Sequence, residues 1–248
     1  DHVIIADSGS NDLEYLSEYT DRLPQAQILA LRENVGFCRG NNKALDALAE
    51  EYDYTLFLNP DAFLTETFLE EALTFMEDPK NTSIGVVGGM LLGFDITKCA
   101  ATGRIDSSGI FSSWYGKWFD REQGELFREE KYTDNEDIPA LCGALMFCRT
   151  QALHSILLRG HEVFDETLFM WKDDIDLSLR IRKAGWRIVF NPSLKAYHCR
   201  GWDSDRKKVS RFARLRAARN EIQVQWKHNP HYLPYSCLKY LAVKILNY

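Results

Sequence analysis

Three aspartates in four positions, Asp173, Asp174 and Asp176, stand in the run "MWKDDIDLSLRIRKAG" of this 248-residue chain. Apolar residues behind them at helical spacing put all three in the first turn of a helix. A carboxylate there can take a proton from an attacking hydroxyl, as a general base does. It can equally serve the helix, because acidic side chains offset the positive end of the macrodipole. Asp176 has Arg180 four residues on, a helix-surface pair that stabilises by only ~0.3 kcal/mol, and is assigned mainly to structure. For Asp174 the ordinary aspartate pKa of ~3.9 is low for a base. Neighbouring Asp173 raises it and the helix terminus lowers it, and the sequence leaves that balance open.

Two further residues stand where strands end. In "TLFLNPDAFL" the run Thr55 to Leu58 suits an interior strand, and Pro60 must stop it because proline cannot donate to a ladder. Asp61 then lies just past that end, as a ligand-binding carboxylate or as a turn aspartate. His198, in "AYHCRG", reads as a ligand or as a structural histidine. Gly36 and Gly40 flank a strand-to-helix turn whose backbone N–H groups could face an anion, or which is an ordinary tight turn.

The elements that must carry these residues alternate. "HVIIA", "AQILAL" and "YTLFLN" read as strands, each followed by a helix, the third with Thr65 as plausible N-cap. That alternation predicts an α/β fold with a parallel sheet, where ligands bind beyond the carboxyl ends of the strands. Farther on come a strand in "SIGVVGGMLL", hairpin pieces over 100–118, a charged loop, a strand in "IPALCGALMFCR", a strand pair around "WRIVFNPSLKAYHC", and a basic helix from Asp205. Residues 1–226 read as one domain and 227–248 as a C-terminal helical segment.

Composition narrows the classes. A net charge of -6 argues against a nucleic-acid binder. No run of apolar residues is long enough to span a bilayer, and no signal peptide opens the chain. The six cysteines form no CxxC pair and suit free thiols in a reducing cytosol. There is no P-loop, no full G-x-G-x-x-G and no H-E-x-x-H. Both ends look cut.

Taken in order, "ADSGSND", "ENVGFCRGNN", "LFLNPDA", "LCGALMFCR", "FDETLFMWKDDIDLSLRIRKAGWRIVFNP" and "AYHCRG" resemble the family 2 glycosyltransferases, closest to their rhamnosyltransferase-like members. The match runs to about Asn220. It implies a GT-A fold: a Rossmann-like, mostly parallel sheet with helices on both faces and a smaller antiparallel portion. Two features depart from the family pattern. One opening strand-helix unit, roughly 30 residues, is missing, and the usual Glu-Asp pair reads Asp173-Asp174.

The resemblance implies an inverting transferase that moves a sugar, rhamnose or another hexose, from a nucleotide-diphosphate donor to a saccharide or lipid-linked saccharide. Asp174 matches the catalytic base. Asp61 and His198 match the ligands of a divalent metal, Mg²⁺ or Mn²⁺, that stabilises charge on the departing diphosphate. Asp7, with Ser8, matches the nucleobase contact, and Asn34, Gly36, Gly40 and Asn41 match the turn around the nucleoside. Cys142 and Gly143 match the floor of the site, with Asp173 beside them, and Trp171 and Trp202 are candidates to stack on a sugar. The basic helix and apolar C-terminus suit peripheral contact with the inner membrane face by a cytoplasmic protein. The alternatives are a catalytically silent nucleotide-sugar-binding module and a nucleotidyltransferase.

Overall fold

The computed structural model of the chain describes residues 2–48, 52–199 and 209–246. Its first part alternates as expected: β1 (Val3–Ser8), α1 (Glu14–Arg22), β2 (Ala26–Leu31), α2 (Gly36–Asp46) and β3 (Tyr54–Leu58). There follow β4 (Ala62–Leu64), α3 (Phe68–Glu77), β5 (Ile84–Asp95), β6 (Ala100–Ser107), β7 (Ile110–Ser112), β8 (Trp118–Asp120) and β9 (Glu136–Asp137). The chain continues through β10 (Leu145–Arg149), α4 (Thr150–His154), α5 (Asp173–Lys183), β11 (Arg187–His198), α6 (Arg211–His228) and α7 (Leu233–Leu246).

β1 and β2 pair in parallel, and the central sheet runs β3-β10-β5-β11-β4, with β6 on β5 and β9 on β11. β5 and β11 are parallel. β3 shares their direction, because β10 runs antiparallel to both β3 and β5. Thus β3 takes β10 as its neighbour rather than extending the β1–β2 ladder. Leu145 to Cys148 are all buried, and so continuous an apolar strand is stable only in a sheet interior.

Three local expectations change. The "AFL" segment after Pro60 forms β4, too short to show in the pattern, held by its antiparallel ladder to β11. Thr65 does not cap α3; its hydroxyl donates to the Lys195 carbonyl at 3.0 Å and pins β4 to β11, while Thr67 stands at the cap position. The expected strand pair around Asn191-Pro192 is one strand, β11, with a register shift between Phe190 and Lys195 that absorbs the proline as an irregularity. The first nine residues of β5 are all buried, and Phe68, Ala72 and Met76 of α3 and Ile175, Leu177 and Ile181 of α5 complete the core around the sheet. The cysteines are free thiols, three of them buried.

Asp176 overturns the surface-pair reading. It is 0 % exposed. One carboxylate oxygen accepts from Arg180 Nε at 2.9 Å; the other lies 2.9 Å from His228 Nε2 and 3.2 Å from Lys227 Nζ. Lys227 also pairs with Asp165. The last turn of α6 therefore closes over the first turn of α5. Burial alone raises the Asp176 pKa, but His228, Arg180 and Lys227 together drive it well below the carboxylate range. α7 packs back along α6 through Lys239 and the buried Glu221, and through Arg211, whose guanidinium donates to the Lys244 carbonyl at 3.1 Å.

Removing one partner of a buried ion cluster typically costs about 3–5 kcal/mol, far above a surface pair. Asp176→Asn is expected to lower Tm by roughly 6–20 °C at neutral pH, given about 2–4 °C per kcal/mol at this size. A carboxylate with a depressed folded-state pKa contributes stability above its unfolded pKa of ~3.9 and loses it as pH falls toward the folded value. The gap between wild type and variant should therefore narrow below about pH 4. Thermal melts from pH 7 to pH 3 check this, and equal melting at pH 7 would refute the buried cluster.

Candidate active site

The β4–β11 register places Ala62 opposite His198, so Asp61 meets the last residue of the long strand. Its backbone is fixed there by the Cys199 N–H, which donates to the Asp61 carbonyl at 2.8 Å. Asp61 Oδ1 lies 3.2 Å from His198 Nε2, and Asp106 Oδ2 lies 2.8 Å from His198 Nδ1. Asp106, at the end of β6 and buried, was not singled out from the sequence; 92 residues separate it from His198. Burial pushes the His198 pKa down, but the Asp106 and Asp61 carboxylates outweigh it and lift the imidazole to about 9.

A divalent cation fits this pair. A carboxylate behind one ring nitrogen of a metal-binding histidine sets the tautomer and aims the other nitrogen, and Asp106 stands in that relation to Nε2 and Asp61. No group of three or more His, Cys, Asp or Glu suited to a metal occurs among the described residues. Two protein ligands suit an ion whose remaining positions are filled by phosphate and water.

The second wall is built from Asn59, the 142–144 turn and the start of α5. The Asn59 N–H donates to the Ala144 carbonyl at 3.0 Å, and the Gly143 N–H donates to Asp174 Oδ2 at 3.2 Å. A Cβ at Gly143 would lie 3.2 Å from the Asp174 Cβ and 3.9 Å from an Asp173 carboxylate oxygen, so a small residue is what lets α5 approach. Cys142 is buried beside it. Asp174 Oδ1 accepts from the Ile175 N–H at 2.8 Å. Burial raises the Asp174 pKa; Lys172 opposes this and Asp120, at the end of β8, reinforces it. The balance left open by the sequence therefore falls on the raised side. Asp173 is buried and raised too, by burial and then by repulsion from Asp174. Asp120 is, after Asp106, a second carboxylate the sequence did not single out, brought in by the β7–β8 hairpin.

Trp171 is 37 % exposed and leans on Phe212 of α6, with ring centroids 6.2 Å apart. Phe169, Trp171 and Lys172 all have positive φ, between 65° and 68°. Each such non-glycine residue costs on the order of 1–3 kcal/mol and persists only where its surroundings enforce it. Trp202 and the first basic residues of the helix expected from Asp205 lie outside the described residues.

The residues expected to hold the nucleoside lie together at the carboxyl ends of β1 and β2. Asp7 is buried; it accepts from the Gly9 and Ser10 N–H groups at 3.2 and 3.1 Å and from the Tyr15 hydroxyl at 2.6 Å. Burial raises its pKa, but Ser10 and Tyr15 bring the net value below the usual range. Ser8 Oγ accepts from the Val35 N–H at 3.0 Å, and Asn34 Oδ1 from the Gly36 N–H at 3.0 Å. The Cys38 N–H donates to the Phe169 carbonyl at 3.0 Å. Two donors of the first α2 turn are thus used internally, which weakens the anion-cradle reading of Gly36. That glycine has φ +80°, and a Cβ on it would meet the Phe169 ring at 2.5 Å. Gly40 has open space where a Cβ would stand. Asn41 turns back onto its own helix, donating to the Phe37 carbonyl at 2.9 Å. Asn42, not singled out, bridges α2 to the Phe164 backbone, donating at 2.9 Å and accepting at 2.9 Å.

Comparison with known proteins agrees with this architecture. The sequence profile of glycosyl transferase family 2 matches residues 1–157. An N-acetylglucosaminyl-diphospho-decaprenol L-rhamnosyltransferase of Mycobacterium tuberculosis (strain CDC 1551 / Oshkosh) is 23% identical over 224 residues, 85% of this chain and 70% of that protein. The rhamnosyltransferase WbbL of Escherichia coli (strain K12) is 26% identical over 169 residues, 66% of this chain and 60% of that protein. The crystal structure of GalNAc-T7 with UDP, GalNAc and Mn²⁺ superposes with a TM-score of 0.63 at 14% identity, over 91% of this chain and 41% of that one. The fold is therefore GT-A, and the chain belongs to glycosyl transferase family 2, as a rhamnosyltransferase-like glycosyltransferase.

Proposed function

We propose that this chain transfers a sugar, rhamnose or another hexose, from a nucleoside-diphosphate donor to a saccharide or lipid-linked saccharide, with inversion at the anomeric carbon. One observation carries the reading most. The contacts from Asn59 through Ala144 and Gly143 to Asp174 join the turn that holds Asp61 to a half-buried carboxylate of raised pKa. A diphosphate anchor and a proton acceptor on two linked walls are what displacement at a glycosyl carbon needs. The two relatives act on or are named for rhamnose, which favours a deoxyhexose donor.

In this mechanism the acceptor hydroxyl attacks the anomeric carbon from the face opposite the diphosphate. Its proton passes to an oxygen of Asp174, the new glycosidic bond forms, and the bond to the diphosphate breaks with its electron pair. Burial raises the affinity of Asp174 for that proton, bringing it nearer to working pH. Asp61 and His198 would hold Mg²⁺ or Mn²⁺, which supplies Lewis-acid stabilisation of the departing diphosphate. Asp7, Ser8, Asn34, Gly36, Gly40 and Asn41 line the nucleoside side, and Cys142, Gly143, Trp171 and Asp173 the sugar side. Asp106 positions His198.

The domain reading, 1–226 with a helical segment over 227–248, carries a localisation proposal. α7 exposes Leu238, Leu241 and Ile245 at helical spacing. The β7–β8 hairpin beside it carries Trp114, 87 % exposed, and Tyr115, whose ring packs 5.0 Å from Tyr235. Residues 209–246 hold seven Lys or Arg against one Glu in an otherwise acidic chain. Apolar and aromatic groups beside basic ones favour an anionic bilayer surface. No helix among the described residues is long and apolar enough to cross a membrane.

Three measurements test these readings. Incubation with a panel of nucleotide sugars and Mn²⁺ should release nucleoside diphosphate, and Asp174→Asn should lower kcat by roughly 10²–10⁴ while leaving nucleoside-diphosphate affinity nearly intact. Wild-type turnover in that variant would remove Asp174 from the chemistry, and no turnover on any donor would favour a silent binding module. Chelator should weaken UDP, GDP or dTDP binding in wild type, and Asp61→Ala should abolish the chelator sensitivity; chelator-insensitive turnover would defeat the metal assignment. Vesicles with anionic lipid should co-sediment the protein, and the triple change Leu238→Ser, Leu241→Ser, Ile245→Ser should release it; equal binding to neutral vesicles and by the variant would defeat the docking face.

A further inference from the structure

The segment from Leu168 to Lys172 is an unusual way to enter a helix. The Met170 N–H donates to the Leu168 carbonyl at 2.7 Å, closing a three-residue turn about Phe169, whose φ and ψ are 65° and -61°. Turns of that sense are rare and strained. Trp171 and Lys172 then continue at φ 68°, and α5 begins at the next residue with no side-chain cap. Nothing in "LFMWK" favours this path, since it holds neither glycine nor asparagine. Some external group must hold it.

That group is Asn220. It lies in the middle of α6, 1 % exposed, 52 residues from Leu168. Its amide nitrogen donates to the carbonyls of Leu168, Met170 and Trp171 at 2.7, 2.8 and 2.9 Å. Two amide protons serve three acceptors, so one is shared. No aspartate, with acceptors only, can replace this arrangement, and no hydrophobic residue can. Around it, Arg216 lies over the Phe169 ring at 5.2 Å and Gln223 bonds Thr167. The same loop touches the donor side, because the Phe169 carbonyl accepts from Cys38 and the Phe169 ring fills the space over Gly36.

The geometry points to Asn220 as a positioning residue for transfer: by holding three carbonyls of the strained loop it fixes where α5 starts, and so where the Asp174 carboxylate faces the acceptor. This rests on the reading of Asp174 as the base. Asn220 touches no reacting atom in this scheme. Its effect should fall on kcat, because displacement of a catalytic group by about 1 Å can cost on the order of 10²-fold while ground-state binding is little changed.

The test compares wild type, Asn220→Ala, Asn220→Ser and Asp174→Asn, using the nucleotide sugar that gives the highest turnover in the panel. Folding is checked by circular dichroism, and nucleoside-diphosphate binding by titration. Asn220→Ala is expected to lower kcat by roughly 10–100-fold with donor KM and nucleoside-diphosphate affinity within about twofold of wild type. Asn220→Ser, which keeps one donor, should fall between them. Hydrogen exchange should quicken at the Met170 and Asp176 amides. A folded Asn220→Ala with kcat within about twofold of wild type overturns the proposal. So does an equal loss of donor affinity and kcat, which marks general loosening, and so does failure of both Asn220 variants to fold, which marks a purely structural residue. If Asp174→Asn keeps normal turnover, the base reading fails instead, and a kcat loss confined to Asn220 would then concern another group on the loop.

Discussion

A carboxylate with no access to water has to be surrounded by donors, and Asp176 is the place where this chain meets that demand. Its donors come from its own helix, through Arg180, and from the end of another, through Lys227 and His228. Neither helix can settle without the other. α5 carries Asp173 and Asp174 in the turn that Asp176 anchors, so the site inherits its orientation from a packing interaction made on the far side of the helix. Two positions apart, the same side-chain type meets opposite environments. Asp174 is pushed toward holding a proton, and Asp176 is held charged. Divergence of this kind among neighbouring acids is how one short segment can supply both chemistry and framework.

The two parts of the candidate site are built by different means. The part at the ends of β1 and β2 is local: Asp7 closes its own turn with Gly9 and Ser10, Asn34 closes its own with Gly36, and Ser8 links the two loops. The other part is assembled from distant pieces. His198 is met by Asp61 and Asp106, 137 and 92 residues away in sequence. Stability of the first depends on turn chemistry, and of the second on sheet register.

That difference also explains what was legible in the sequence. The alternation of the first three strands and helices and the stop at Pro60 follow from local rules, and the structure has them; the helix that carries Asp173 and Asp174 was legible from its spacing, but the strained path into it was not. The ordered motifs pointed to Asp61, Asp174 and His198, which the structure places on two linked walls. Asp106, Asp120, Asn42 and Asn220 were not legible, because each matters through a partner far along the chain; even Asn42, inside a quoted motif, shows its role only through Phe164. Asp176 was misread for the same reason: spacing shows Arg180 four residues on but cannot show α6 closing over both. The third strand took an antiparallel neighbour because a later apolar segment competes for the interior of the sheet.

The three-pair ladder between β4 and β11 has a consequence for how this region can change over time. Side chains along Ala62–Leu64 can be exchanged for others of similar size, since the ladder uses backbone atoms. Length is a different matter. Adding or deleting one residue between Pro60 and Thr65 would shift the ladder by one and turn Asp61 toward the opposite face of the sheet, away from His198, with buried Ala62 displaced as well. Among descendants of this sequence, the segment should therefore tolerate spelling changes freely and gaps hardly at all.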